Sequence, residues 1–284
     1  MSFNELKWVE FLKHKIRKNK NLLVGIGDDC AIFKEGKNYY LLSSDSFVEN
    51  VHFQRGKISW VNIGKRATAR AISDIAACAG HPKFINVCLG VPPWLRKTQL
   101  RYITRGIITC AQEHKAVVVG GDTCRSPIIF VNVYVVGKTH RPILRNQAKE
   151  EDYIFITGKL GKLKFNQPFR AKVKEADYLV KRFKVNSMID ISDGLIIDLY
   201  RILVASKKGA LLYKDNLPIY KSWDDIYRGE DYELIFTVDK KESKLERLFL
   251  NFYFIGRIKP QSFGYKMKVE NKLQKIKVKG FLHF

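Results

Sequence analysis

Apolar positions along this chain switch between two periods, and the switches mark out its elements. Leu6, Val9, Leu12 and Ile16 recur at helical spacing behind a Ser2/Glu5 capping box, which predicts an amphipathic helix at the start. "YYLLSSDSF" (39–47) reads as a strand, and "SWVNIGKRATARAISDIAACAG" as a long helix opened by Ser59 and closed by Gly80. "FINVCLGV" (84–91) is a buried strand that Pro92 and Pro93 stop. "KTQLRYITRGIITCAQEHK" is a second helix, and "AVVVGGDT" and "IIFVNVYVVGKT" are strands joined by a turn around Pro127. The charged stretch "KTHRPILRNQAKEED" breaks the pattern and predicts a domain boundary. Beyond it come the strand "YIFITG", a lysine-rich helical stretch, the strand "SMIDIS", the helix "GLIIDLYRILVASKKG", the strand "YELIFTV" and short terminal strands. Helices and strands alternate in both halves, so the class is α/β or α+β, with domains at 1–140 and 141–284.

No stretch approaches the ~20 apolar residues of a membrane span, and the N-terminus lacks the apolar core of a signal peptide. The five cysteines include no C-x-x-C pair, which suits a reduced, buried set in a cytoplasmic protein. The formal net charge is +23, from 51 Lys and Arg against 28 Asp and Glu. That excess would suit nucleic acid or anionic small substrates, but the lysines are spread along the chain and no stacking platform accompanies them. A nucleic-acid partner is therefore not expected, and a basic metal-dependent nuclease ranks low.

The aspartates are less evenly spread. Every aspartate of the first 150 residues falls in "GDD" (Asp28, Asp29), "SSD" (Asp45), "SDI" (Asp74) or "GGD" (Asp122), and "DISDG" adds Asp190 and Asp193. "GIGDDC" places Gly25 and Gly27 as in a dinucleotide-binding turn, yet two carboxylates, Asp28 and Asp29, follow the turn and Cys30 replaces the third glycine. Bare backbone N–H groups that hold pyrophosphate do not favour adjacent negative charge. Each motif alone reads as a turn or a cap. Together, in a chain without a Walker A loop, they predict carboxylates that hold Mg²⁺ against a polyphosphate. Asp74 is the sharpest case, because a carboxylate inside an apolar helix needs compensation.

"GIGDDCAI", "SSDSFVENVHF", "AISDIAACAG", "VVVGGDT", "MIDISDGLIIDL", "GEDYELIFT" and the terminal "KGFLHF" resemble, in that order, the thiamine-monophosphate kinase family. The resemblance implies a two-domain fold like that of aminoimidazole ribonucleotide synthetase, with an N-terminal mixed sheet that pairs in a homodimer and a C-terminal α/β domain. It implies ATP-dependent phosphorylation of thiamine monophosphate with several Mg²⁺ ions. Carried onto this chain, Asp29, Ser43, Ser44, Asp45, Asp74, Asp122, Asp190 and Asp193 are metal ligands, and Gly121, Asp122, Arg145 and Ser192 contact ATP. His52, Glu230 and Phe281 contact thiamine phosphate. Catalysis then rests on metal-held positioning, with Asp45 and Asp122 central, rather than on a strong base. Glu230 either bonds the acceptor or caps a turn, and Phe281 either stacks on the thiazolium or packs in the core. The segment near 159–185 is shorter than the family's usual one, and Arg228 stands where glycine is usual. A different acceptor within the superfamily and a catalytically degenerate relative stay open.

Overall fold

The computed structural model describes residues 5–16, 19–242 and 252–281. Ser2 of the capping box and the last three residues of "KGFLHF" lie outside the described residues. The chain divides into two compact units, one of residues 17–141 with 164–173 and the other of residues 1–16, 142–163 and 174–284.

In the N-terminal unit, β1 (Leu22–Val24), β2 (Ala31–Glu35), β3 (Asn38–Val48), β4 (His81–Val91), β5 (Val117–Arg125) and β6 (Phe130–Thr139) form a mixed sheet. The order is β1-β2-β3-β6-β4-β5, and only the β4–β5 pair is parallel among the described residues. Alternation sets its two faces. Leu41, Ser43, Phe47, Val131, Val133, Val135, Ile85 and Val87 are buried, on the face that α2 (Trp60–Ala77) covers. Ser59 opens α2 by accepting the Asn62 N–H at 3.2 Å. The helix closes earlier than Gly80: Ala79 takes the left-handed conformation (φ 55°) and the Gly80 N–H reaches Ile75 O at 2.8 Å. Gly80 is needed there for room, since a Cβ would meet Leu41 Cδ1 at 2.2 Å. β4 also starts earlier than expected, running through Pro82 by way of a register shift.

α3 (Lys97–Glu113) packs on α2 through two glycines. A Cβ on Gly64 would meet Ile103 O at 2.0 Å, and one on Gly106 would meet Val61 O at 2.0 Å. The opposite face of the sheet carries exposed apolar side chains. Register places Leu42, Val136, Phe84 and Val117 side by side across four strands, with Tyr134 in the adjoining row.

The C-terminal unit holds α1 (Glu5–Lys15), β7 (Tyr153–Ile156), α4 (Val173–Arg182), β8 (Val185–Asp190), α5 (Leu195–Ser206), β9 (Lys208–Tyr213), β10 (Leu234–Val238), β11 (Tyr253–Pro260), β12 (Tyr265–Val269) and β13 (Lys272–Lys275). Its sheet runs β13-β12-β9-β11-β7-β10-β8, with β9–β12 parallel. Leu195, Leu199, Ile202 and Leu203 of α5 join Ile189, Ile235 and Ile255 of the sheet in one core. β9 begins where the helix "GLIIDLYRILVASKKG" was expected to continue: Lys207 caps α5 in the left-handed conformation (φ 55°), and Gly209 is a strand residue pressed against Gly264 O. The cysteines are free, as expected, but Cys88 is half-buried and Cys124 exposed.

Gly64→Ala is expected to destabilise the N-terminal unit by about 1–3 kcal/mol, because the added methyl has backbone rather than a movable side chain in its way. Thermal or denaturant unfolding checks this, and an unchanged midpoint would contradict the close α2–α3 approach.

Candidate active site

Asp29, Ser43, Asp45 and Asp74 of the N-terminal unit gather on and around α2, while Ser44 and Asp122 fall on the opposite face of the sheet. Asp29 follows the turn at Gly27 (φ 125°), and its N–H is held by Asp28 Oδ1 at 3.0 Å. Asp74 lies on α2. Carboxylate oxygens of Asp29 and Asp74 come within 4.8 Å of each other, both residues half-buried. Cys78 approaches Asp28 and Asp29 as closely, but a thiol is a soft donor and suits Mg²⁺ poorly. Two carboxylates and no thiolate are the set that fits a hard cation.

Asp45 sits on the α2 face of β3, and its two oxygens accept from Arg70 Nε at 2.8 Å and Nη2 at 3.3 Å. Ser43, on the same face, donates its hydroxyl to Ala71 O at 2.7 Å. Ser44 alternates to the open face, so the hydroxyls of Ser43 and Ser44 do not share a face. Asp122 on β5 pairs in register with Cys88, also on the open-face side, and accepts the Thr123 N–H at 2.8 Å. Gly121 beside it has no room for a side chain, since a Cβ would meet Val87 O at 1.8 Å. An open cleft of about 580 Å³ between α3 and β5 is lined by Val87, Leu89, Ile107, Ile108, Gly121 and Asp122. His52 accepts the Val48 N–H on Nδ1 at 3.1 Å, which puts the ring proton on Nε2. Its ring rests near Phe47, 5.9 Å between centroids.

The motif residues of the C-terminal unit gather around the loop from β8 to α5. Asp190, buried, ends β8 beside Leu234. The "GED" turn is laced onto this loop: Glu230 N–H reaches Ser192 O at 2.8 Å and Tyr232 N–H reaches Ile191 O at 2.9 Å. Glu230 and Tyr232 hold φ of 71° and 51°, which is why the strand starts only at Leu234. Tyr232 Oη donates to Glu230 Oε1 at 3.1 Å. Phe281 N–H bonds Asp193 O at 3.0 Å, and the ring is 47% exposed rather than in the core. Asp193 is ion-paired with Arg201 at 2.6 Å. Arg201 also holds Asp198, a fully buried residue that accepts the N–H groups of Asp193 and Gly194, each at 3.0 Å. Burial pushes the Asp198 carboxyl up to about 7, against the pull of Arg201 and, more weakly, of Arg145. Arg145 stands in a short 3₁₀ turn whose carbonyl accepts from Ser206 Oγ at 2.8 Å.

Arg70 and Arg201 belong to these groups but to none of the motifs read from the sequence, and Asp198, inside "MIDISDGLIIDL", carries no assigned role there. Their signal is positional: each is a charge set into a largely apolar helix, four residues before Asp74 or in the first two turns after "DISDG".

Asp231 of the "GED" turn is buried and accepts the Gly161 N–H with both oxygens, at 2.9 and 3.1 Å. Burial nonetheless pushes its carboxyl from 3.8 up to about 7. A raised carboxyl favours the folded state most when protonated, so this contribution is complete below pH about 4 and is lost as pH rises through about 7. Asp231→Asn is therefore expected to flatten the fall in melting temperature between pH 5 and 8. An unchanged slope would contradict the burial effect.

The family profile described as "AIR synthase related protein, N-terminal domain" matches residues 27–139. The thiamine-monophosphate kinase of Buchnera aphidicola (subspecies Schizaphis graminum) is 31% identical over 328 positions, covering 100% of both chains. That of Bacillus subtilis is 30% identical over 305, covering 92% of this chain and 93% of the relative. Among solved structures, "AaThiL complexed with AMPPCP and TMP" matches with a TM-score of 0.86 and 26% identity, over 100% of this chain and 99% of that one. A HypE–HypF complex matches at a TM-score of 0.76 but 18% identity, a likeness of fold alone.

Proposed function

The chain belongs to the thiamine-monophosphate kinase family, and we propose that it transfers the γ-phosphate of ATP to the phosphate of thiamine monophosphate, giving thiamine diphosphate and ADP. One observation carries the site: Asp29 and Asp74 bring carboxylate oxygens within 4.8 Å of each other, a spacing that one divalent cation can bridge.

The acceptor is a phosphate oxygen, anionic at neutral pH, so the protein has little proton abstraction to perform. It must hold two polyanions in line and offset their repulsion. Mg²⁺ bound by Asp29, Asp45, Asp74 and Asp122, and by Asp190 and Asp193, would supply that neutralisation. Ser43 and Ser44 would contribute oxygens, Ser44 through its carbonyl or from the open face. Asp45 is already held in a two-point grip by Arg70, which keeps its oxygens oriented and ties them to α2. Gly121 lets the β5 backbone run close against β4, leaving its peptide groups and Asp122 at the apolar cleft, which suits a nucleotide base and its phosphates. Arg145 and Ser192 would meet the nucleotide phosphates. His52 can donate from Nε2 to the acceptor phosphate because Val48 occupies Nδ1. Glu230, held by its Tyr232 contact and its left-handed backbone, would bond the acceptor, and the exposed Phe281 ring would stack on the cationic thiazolium.

We place ATP and metal binding and dimerisation in the N-terminal domain, followed by a C-terminal α/β domain. No helix among the described residues is long and apolar enough to cross a membrane; with its free cysteines, this supports a cytoplasmic setting. The exposed row of Leu42, Phe84 and Val117 beside Tyr134 supports a homodimer built by pairing the open sheet faces.

Two measurements test these readings. ADP release from Mg·ATP should require thiamine monophosphate, be absent with thiamine or no acceptor, and stop on chelation. Asp74→Asn should lower kcat at least about 100-fold. Acceptor-independent release would point to an ATPase, and no release from folded protein would sink the kinase assignment. Separately, Phe84→Lys should shift the mass found by light scattering from two chains to one, whereas a monomeric wild type would contradict the dimer.

A further inference from the structure

Arg66 and Arg70 stand one turn apart on α2 and are both buried, yet they meet different partners. Arg66 Nη1 donates to the carbonyls of Lys164 and Gln167, at 3.3 and 2.7 Å, and so pins the 164–173 strap of the N-terminal unit. Arg70 meets a carboxylate proposed above as a metal ligand. Its Nε and Nη2 reach the two oxygens of Asp45 at 2.8 and 3.3 Å. Its guanidinium lies 5.5 Å from the ring of Phe47, itself fully buried. The Arg70 side chain is only 9% exposed, so close packing leaves it little room to swing away.

Asp45 also accepts the Ser46 N–H on Oδ1 at 2.7 Å. The carboxylate thus accepts three N–H groups. Its oxygens offer about four lone-pair positions in all, which leaves roughly one. The Asp45 side chain keeps 26% of its surface open, so the remaining position is within reach of a ligand. The charge is another matter. A guanidinium stays protonated throughout the working pH range, and the counter-charge on Asp45 is therefore permanent.

We infer that Arg70 is a resident cation that makes metal binding at Asp45 depend on nucleotide; the inference rests on the kinase reading above. Asp45 and Arg70 together carry no net charge, and a free divalent cation that approaches Asp45 meets a fixed guanidinium behind it. The polyphosphate of ATP brings the negative charge that Arg70 cancels. Its oxygens also fill coordination positions that Asp45, with three N–H groups already bound, cannot supply. Asp45 therefore engages a metal that arrives with nucleotide and discriminates against the free ion. Arg70 is a positioning residue with an electrostatic consequence: it orients Asp45 and sets when that carboxylate accepts a cation.

The test is a Mn²⁺ titration without nucleotide, read by paramagnetic resonance. It compares wild type, Arg70→Met, Arg70→Gln and the double variant Arg70→Met/Asp45→Asn, with melting temperatures confirming that each folds. The two neutral replacements differ in polarity, so a folding defect in one leaves the other to answer the question. Either should bind Mn²⁺ at least about tenfold more tightly than wild type, and Asp45→Asn should abolish the gain. With ATP present, the factor by which nucleotide tightens Mn²⁺ should shrink correspondingly in the neutral variants, as linkage requires. Unchanged nucleotide-free affinity in the neutral variants, or a gain that survives Asp45→Asn, would overturn the role of Arg70 while leaving the kinase intact. A wild type that retains no Mn·ATP after ultrafiltration and does not phosphorylate thiamine monophosphate would overturn the kinase reading, and this inference with it.

Discussion

Two carboxylates held within 4.8 Å of each other, Asp29 and Asp74, are the constraint around which the N-terminal unit is built. At the effective dielectric of a half-buried site, two such charges repel by about 3 kcal/mol. Asp28 and the thiol of Cys78 crowd in on Asp29 as well, their ligand atoms also within 4.8 Å. We propose that a divalent cation shared with a polyphosphate sits against this cluster, where it would also offset the repulsion between donor and acceptor phosphates.

α2 turns that constraint into a whole arrangement. Asn62, Arg66, Arg70 and Asp74 follow one another at four-residue spacing, so they form a single stripe along the helix. Asn62 and Arg66 fix the 164–173 strap, Arg70 fixes Asp45 on β3, and Asp74 faces Asp29. This stripe on α2 thus sets the strap, a strand carboxylate and the Asp29–Asp74 pair in register. The glycine contacts with α3 hold that helix without side-chain slack, and the positioning is correspondingly rigid. The C-terminal unit uses a different device. There, Arg201 between Asp193 and Asp198 orients the loop after β8, and the left-handed Glu230 and Tyr232 lace the acidic turn onto it.

Much of this was legible in the sequence, and the failures have physical causes. The Ser59 cap, the strands around "SSD" and "GGD" and the clustered aspartates follow from local chemistry that needs no partner. The end of α5 was misread because "KKG" looks like a glycine cap, whereas Lys207 takes the left-handed position and frees Gly209 for a strand that Gly264 presses on. "YELIFTV" was read as strand throughout because positive φ at Tyr232 is invisible in a residue type that favours strands. The α2 stripe was present in the sequence as a four-residue period of polar residues. Its meaning depended on what the fold brings opposite each one. The Arg66 clamp on a strap about a hundred residues away could not be seen from spacing at all.

The measurement that bears most directly on the account is Mn²⁺ binding followed by paramagnetic resonance, in the presence of ATP and with Mg²⁺ as competitor. Wild type should take up Mn²⁺ that Mg²⁺ displaces, and Asp74→Asn should lose that uptake while melting at or above the wild-type temperature, since the substitution removes the repulsion from Asp29. Equal Mn²⁺ uptake by the variant, or a marked fall in its stability without metal, would mean that the two carboxylates are held for the fold and not for a cation.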